Sequence, residues 1–178
     1  MSDNNARVAT SSLGFPRIGP DRELKRALEA HWSGRIDRAT LLDAAREIRR
    51  MRWTTQSNAG IDIFPSGDFS LYDHVLDTAL MVGAVPARFR QLELESELDL
   101  TFAMARGAEG RGGEVAPLDM TKWFDTNYHY LVPQLEVGTL QPFQEGDRSV
   151  LGQARLVELD PLGPRRVEPA QNLLVHGH

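Results

Sequence analysis

The sequence predicts an α/β fold, in which short apolar strands alternate with amphipathic helices along the chain. The first indication is hydrophobic spacing, because several segments repeat apolar residues at three- and four-residue intervals, as helices do. The second is that short apolar stretches bounded by Gly or Pro stand between those segments and are typical of buried strands. Such alternation predicts parallel pairing, with functional residues just beyond the strand ends, near Arg17, Asp68 and Asn127.

The first predicted elements are a strand and loop over residues 10–19, followed by a helix that ends near Trp32. Apolar spacing in this helix is carried by Leu24, Ala27, Leu28, His31 and Trp32. It leaves the basic residues Arg22, Lys25 and Arg26 on the other face. A cation in a first helical turn costs about 0.3–1 kcal/mol because the helix dipole is positive there. The cluster therefore predicts either a solvated face or contact with an anionic ligand.

A second helix is predicted from Thr40 and Asp43, which have the spacing of a capping box. Its apolar spacing is carried by Leu41, Ala45, Ile48 and Met51. Several arginines lie in its later turns, where the helix dipole favours cations: Arg46, Arg49, Arg50 and Arg52. These arginines are therefore expected to need no functional role. Gly60 predicts the end of the helix, and "IDIF" at residues 61–64 predicts a short buried strand.

Two further helices are predicted from capping signals. Ser70 with Asp73, and Ser96 with Asp99, have the required spacing, and the helices should end near residues 83–86 and at Gly107. The glycine-rich stretch 106–117 lacks the context of a phosphate-binding loop and is expected to be a plain mobile loop. Residues 126–135, "TNYHYLVPQL", are rich in aromatic and β-branched residues and predict a strand.

Composition excludes several classes of protein. A formal net charge of −5 argues against a nucleic-acid partner bound through a broadly basic surface. With no cysteine, the chain builds no disulfide, thiolate nucleophile or Cys-ligated zinc site. The sequence has neither the apolar segment of a signal peptide nor a run of about 18 apolar residues. We therefore expect a cytoplasmic protein with no membrane partner.

Three long segments carry a family resemblance: "LGFPRIGPDRELKRALEAHWSG", "AGIDIFPSGDFSLYDHVLDTALMVGAVPARF" and "DMTKWFDTNYHYLVPQL". In this order and spacing they resemble the N-terminal domain of cobalamin-independent methionine synthase, the 5-methyltetrahydropteroyltriglutamate–homocysteine methyltransferase family. The resemblance implies a TIM-type (β/α)8 barrel, which usually takes about 250 residues. We expect residues 10–143 to form only its N-terminal units. Residues 1–9 are expected to be disordered and residues 144–178 to form a divergent, irregular tail.

The resemblance also implies an activity, namely methyl transfer from 5-methyltetrahydropteroyltri-glutamate to homocysteine to form methionine, without cobalamin. In the family, homocysteine and a catalytic zinc are held by the C-terminal domain, and the zinc ligands include cysteines. Zinc stabilises the homocysteine thiolate, which is the nucleophile. Because the resemblance ends before that domain, this chain alone is expected to be an inactive, folate-binding part of the methyltransferase.

Family motifs place folate-polyglutamate contacts on "RELK" and on the lysine of "MTKWF". In this sequence the residues are Arg22, Glu23, Leu24, Lys25 and Lys122. A helix N-terminus with nearby cations suits the carboxylates of a polyglutamate tail. The alternatives are a solvated helix face at Arg22 and Lys25, and a lysine stem covering aromatic surface at Lys122.

The remaining candidate residues are expected to be structural: His31 as a core histidine, Asp73 as a helix cap, His74 on the flank of that helix, and His129 between two tyrosines. No metal site is predicted. At the level of the whole chain, the alternatives to an enzyme fragment are a stand-alone module that binds polyanions or folate polyglutamate without catalysis, and a non-functional remnant.

Overall fold

The computed structural model describes residues 8–65, 67–110 and 113–136 and divides them into two compact units. The first unit comprises the described residues up to Phe69, and the second begins at Ser70. Most of the predicted N-terminal segment 1–9 and all of the predicted tail 144–178 lie outside the described residues.

The first unit is built from α1 (Glu23–Trp32) and α2 (Arg38–Asn58), which pack against each other. The apolar face predicted for each helix is the face that is buried. Its buried side chains are Leu24, Leu28, Leu41, Ala45 and Ile48. Beside them the backbone of residues 10–12 runs parallel to the "IDIF" segment, with one bridge between Ser11 and Ile63.

The start of α2 differs from the predicted one. Helix α2 begins one turn before the predicted cap, because the Asp37 carboxylate accepts the Thr40 backbone N–H at 2.8 Å. The predicted capping box at Thr40 and Asp43 is therefore wrong, since a side chain upstream of it already caps the helix. The predicted end is confirmed, because Gly60 follows the C-cap with a φ of 82°, a conformation that favours glycine.

The second unit contains α3 (His74–Met81), α4 (Ala87–Arg90), α5 (Glu97–Arg106) and four short strands. The strands are β1 (Ala108–Gly110), β2 (Gly113–Val115), β3 (Met120–Lys122) and β4 (His129–Leu131). They form two antiparallel pairs, β1–β2 and β3–β4. Its core includes Leu76, Phe89, Met104, Leu118 and Leu131.

Capping in the second unit follows the sequence signals in part. Ser96 caps α5 as predicted, because its hydroxyl accepts the Asp99 N–H at 3.2 Å. Asp73 caps α3 by accepting the Leu76 N–H at 3.0 Å. Ser70 is not the cap, since its hydroxyl instead accepts the N–H of Tyr72 at 3.2 Å.

Two strand predictions need correction. The glycine-rich stretch expected to be a plain loop carries the β1–β2 hairpin, in which Ala108 pairs with Val115. The strand predicted over residues 126–135 is confined to His129–Leu131. Residues 126–128 belong to the turn that joins β3 to β4, and Pro133 has no N–H to donate to a ladder.

The predicted mixture of helices and strands is confirmed. Among the described residues, parallel pairing is limited to the bridge between Ser11 and Ile63, so the (β/α)8 arrangement stays a prediction. No helix in the described part of the chain is both long and apolar enough to cross a membrane.

Candidate functional site

The predicted "RELK" residues begin α1, directly after a tight turn in the first unit. Arg22 donates its backbone N–H to the Gly19 carbonyl at 3.1 Å, and the Glu23 carboxylate accepts the Asp21 N–H at 3.1 Å. Gly19 has a φ of 83°, and a Cβ there would lie 2.0 Å from a Glu23 carboxylate oxygen. The Glu23 side chain therefore folds back over the turn, and the left-handed conformation of Gly19 is what favours glycine there.

Arg22 adopts an unusual backbone conformation at the N-cap of α1. Its φ of 61° and ψ of 36° are left-handed, which costs a non-glycine residue about 1–2 kcal/mol. Its side chain is exposed and makes no capping hydrogen bond. An exposed arginine held in a strained conformation adds nothing evident to the stability of the helix. Strain of this kind is concentrated at functional sites.

Leu24 and Lys25 have opposite environments. Leu24 is fully buried, and its N–H donates to the Ile18 carbonyl at 3.1 Å, so it anchors the helix start in the core. Lys25 is about half exposed, and its ammonium lies 3.5 Å from the Glu29 carboxylate, one turn along the helix. Exposed pairs of this kind contribute about 0–1 kcal/mol, so Lys25 can exchange Glu29 for another carboxylate at little cost.

Lys122 lies in the second unit, at the end of β3 and opposite His129 of β4. Its side chain is exposed. The turn that follows is closed by the Trp123 N–H, which donates to the Tyr128 carbonyl at 2.8 Å. The Trp123 ring makes edge contacts with Phe124 at 5.3 Å and Tyr130 at 5.4 Å between centroids. Lys122 is thus an exposed cation beside a partly exposed aromatic cluster.

Asp73 holds this hairpin in place, a role that the capping pattern alone did not predict. Its carboxylate is buried and, besides capping α3, accepts the Leu131 N–H at 3.2 Å and the Tyr128 hydroxyl proton at 2.5 Å. Both donors flank the turn after Lys122. The capping spacing near Asp73 was visible in the sequence, but its donors 55 and 58 residues away were not.

Two buried arginines of α2 were also missed by the sequence pattern. Arg52 donates from Nη2 to the Asp68 carboxylate and to the Phe15 carbonyl, and the same carboxylate accepts the Phe15 N–H at 2.9 Å. Burial lowers the pKa of Arg52 and the Asp68 charge opposes that shift. Arg49 stacks on the Phe69 ring, with 5.5 Å from the guanidinium carbon to the ring centroid. The expectation that these two arginines need only the helix dipole is wrong, because both are buried and the last turn of α2 contains no basic residue.

The histidines occupy positions close to those expected. His31 is half-buried, with Nδ1 3.3 Å from the Ile36 carbonyl oxygen, and His74 is the exposed first residue of α3. His129 is exposed, with Nδ1 3.1 Å from the Asn127 carbonyl oxygen.

The chain's donor set does not fit the zinc site implied by the resemblance. The sequence contains no cysteine, and within residues 8–65, 67–110 and 113–136 no three His, Asp or Glu side chains converge on a point that could hold a metal ion. We therefore derive no step of chemistry through zinc on these residues.

Comparison with known proteins gives a consistent result. The family described as "Cobalamin-independent synthase, N-terminal domain" matches residues 9–157. The chain is 58% identical over 132 residues to the 5-methyltetrahydropteroyltriglutamate–homocysteine methyltransferase of Nitratidesulfovibrio vulgaris (strain Miyazaki F), a match that covers 74% of this chain and 17% of the relative. It is 56% identical over 128 residues to the enzyme of the same name from Flavobacterium johnsoniae, covering 71% of this chain and 16% of that relative.

A third relative of the same name, from Caulobacter vibrioides, is 53% identical over 146 residues, which cover 74% of this chain and 19% of the relative. The chain thus spans less than a fifth of the length of these relatives. Since the family match covers most of the chain and three relatives agree with it, the chain belongs to the family of the cobalamin-independent synthase N-terminal domain.

Proposed function

We propose that this chain is the folate-binding part of a methyltransferase that forms methionine from homocysteine and 5-methyltetrahydropteroyltri-glutamate. In this proposal Arg22, Lys25 and Lys122 hold the carboxylates of the polyglutamate tail, while Glu23 and Leu24 shape the start of α1. The observation that carries the proposal is the combination of strain and exposure at Arg22, together with a weakly paired Lys25 three residues later.

Electrostatics support a tail of several carboxylates at α1. The positive end of the helix dipole and two cations reinforce one another at the same helix start. Each charge-assisted contact contributes roughly 0.5–2 kcal/mol and weakens as salt screens it. The Glu29 partner of Lys25 is itself about half exposed, so a bound carboxylate replaces an interaction of small value.

The proposal includes the architecture expected from the sequence. Residues 10–143 form the first units of a TIM-type (β/α)8 barrel, and residues 1–9 and 144–178 lie outside it. Homocysteine and zinc are then bound by the C-terminal part of a full-length enzyme, so this chain alone catalyses no methyl transfer. The compartment expected for the reaction is the cytoplasm.

Calorimetry with triglutamyl and monoglutamyl 5-methyltetrahydrofolate tests the tail contacts. Lys25→Ala and Lys122→Ala should each weaken triglutamate binding by roughly 2–30-fold and leave monoglutamate binding nearly unchanged. Arg38→Ala and Arg90→Ala are matched controls, because they remove exposed cations from the same two units. Equal losses for both folates would show that the two lysines are structural.

A complementation assay distinguishes the hypothesis of an enzyme fragment from that of a stand-alone binding module. We expect no methionine from the purified chain supplied with zinc and both substrates, and recovery when it is mixed with a relative lacking the matched N-terminal segment. Tight triglutamate binding without such recovery would favour the module. Methionine formation by the chain alone would refute the assignment as an inactive part.

A further inference from the structure

Arg49 is a buried charge that no acid balances within the part of the chain that the structure describes. Its side chain is 8% exposed, and within the described residues its Nε has no hydrogen-bond partner. The contact that its guanidinium makes is with the face of Phe69. Taking an ion out of water costs several kcal/mol unless an opposite charge or hydrogen bonds compensate, and a ring face supplies only part of that compensation.

The neighbouring arginines of α2 each have a carboxylate partner. Arg46 pairs with Asp43 and Arg50 pairs with Glu47, in both cases across one exposed turn. Arg52 pairs with Asp68 in the interior. Each of the other three arginines in the later turns of α2 therefore has its own carboxylate, and Arg49 is the exception among them.

The charged groups that act on Arg49 from the described residues are cations. Burial lowers the pKa of Arg49, and the positive charges of Arg46 and Arg52 lower it further. The cause of the Arg52 shift differs, because Asp68 opposes the effect of burial there. Among the described residues, the Phe69 ring face therefore offsets only part of the cost of burying this charge.

We propose that Arg49, stacked on Phe69, is a binding site for one carboxylate group. A guanidinium held against a ring presents its planar edge, which matches a carboxylate with two parallel hydrogen bonds. The charge count is consistent with this chemistry. The other three arginines in the later turns of α2 each pair with a described carboxylate, so Arg49 adds one unbalanced positive charge, which one carboxylate balances.

The carboxylate has two possible sources, a free ligand and an acidic side chain of the protein. The first experiment titrates the chain with sodium acetate and follows the Arg49 Nε–H resonance, assigned by its loss in Arg49→Lys. A free-ligand site gives a saturable shift with acetate and none with sodium chloride at equal ionic strength. The Arg50 Nε–H resonance serves as the internal control on the same helix.

Thermal unfolding of Arg49→Met and Arg50→Met distinguishes the remaining outcomes. If a side chain of the protein fills the site, Arg49 does not respond to acetate. Arg49→Met then lowers Tm by about 10 °C or more, since one partner of a buried pair is lost, and Arg49→Lys recovers part of that loss. Arg50→Met changes Tm little in every case, because its side chain is exposed.

The proposal is overturned if Arg49 is insensitive to acetate and Arg49→Met leaves Tm unchanged or raises it. That result would mean that an apolar side chain serves equally well and that no carboxylate binds. A response to acetate supports a free ligand, and insensitivity with a large charge-dependent loss of Tm supports a side chain of the protein.

Discussion

Removing the Asp73 carboxylate should loosen both α3 and the β3–β4 hairpin. In the folded chain this one side chain accepts hydrogen bonds from the backbone of Leu76 and Leu131 and from the Tyr128 hydroxyl. Asp73→Ala leaves all three donors without their acceptor while the surrounding backbone stays the same. The perturbation is therefore confined to one buried anchor.

The magnitude follows from the individual bonds. Loss of an N-cap acceptor costs about 0.5–2 kcal/mol. The buried Leu131 N–H, left unbonded, costs about 1–3 kcal/mol. Tyr128 is partly exposed, so water replaces part of its bond. Together these losses amount to roughly 2–5 kcal/mol for Asp73→Ala, a large share of the ~5–15 kcal/mol that stabilises a typical domain.

Asp73→Asn is the matched variant because it keeps the shape and one acceptor oxygen. Its amide oxygen can accept from the backbone N–H groups while its nitrogen donates to the Tyr128 hydroxyl, which is able to accept. We therefore expect a loss of only ~1 kcal/mol. Tyr128→Phe completes a double-mutant cycle, with an interaction energy of about 0.5–3 kcal/mol expected for a contacting pair.

Urea unfolding followed by Trp123 fluorescence measures these differences at the hairpin itself. Trp32→Phe and Trp53→Phe leave Trp123 as the single reporter, since the sequence has three tryptophans. The account of Asp73 fails if Asp73→Ala costs less than ~1 kcal/mol. It also fails if the alanine and asparagine variants lose the same amount.

Two further predictions concern helix starts in the first unit. Arg22→Asn should raise the free energy of unfolding in urea by roughly 0.5–1 kcal/mol, because asparagine tolerates the left-handed conformation. The same substitution should weaken triglutamate binding. A loss of stability would contradict the strain argument. The pKa of Asp37 is lowered by hydrogen bonds from the Thr40 side chain and N–H. The ionised Asp37 carboxylate therefore stabilises the fold in full above its pKa in the unfolded chain, about 4. This stabilisation is lost as the pH falls through the lower pKa of the folded chain. Between about pH 6 and 3 the wild type should lose more stability than Asp37→Asn, and parallel losses would argue against this role.

Local signals in the sequence predicted four of the five helices in the described residues, and the short α4 was not among them. The apolar spacing of α1 and α2 identified the buried residues Leu24 and Leu41, and Ser96 caps α5 as its spacing predicted. At α3 the capping-box spacing was only partly right, since the cap is Asp73 and not Ser70. These features depend on neighbours within one helical turn. The start of α2 was misplaced because Asp37 and Thr40 are both good capping residues. Spacing along the sequence cannot decide which of the two is the N-cap.

Strand pairing was much less predictable. The β1–β2 hairpin lies in a glycine-rich segment without the alternation that marks a strand, and its strands are three residues each. Gly107 leads into it with a φ of 83°, where a Cβ would lie 2.8 Å from the Val115 carbonyl oxygen. Gly107 therefore allows two backbone segments to approach closely. Composition alone cannot distinguish a glycine needed for such an approach from a glycine in a flexible loop.

The arginines of α2 show why a charge pattern taken from one helix is incomplete. Arg46 and Arg50 are exposed and pair with acids one turn away, and neither lies in the last turn of α2, where the dipole acts. The dipole cannot account for Arg49 and Arg52 either, because it contributes about 0.3–1 kcal/mol whereas burying an ion costs several. The cost of burial exceeds the contribution of the dipole, so a buried arginine requires an opposite charge from outside its own helix. Asp68 supplies that charge to Arg52, and the same requirement at Arg49 is the physical reason to look for a carboxylate there.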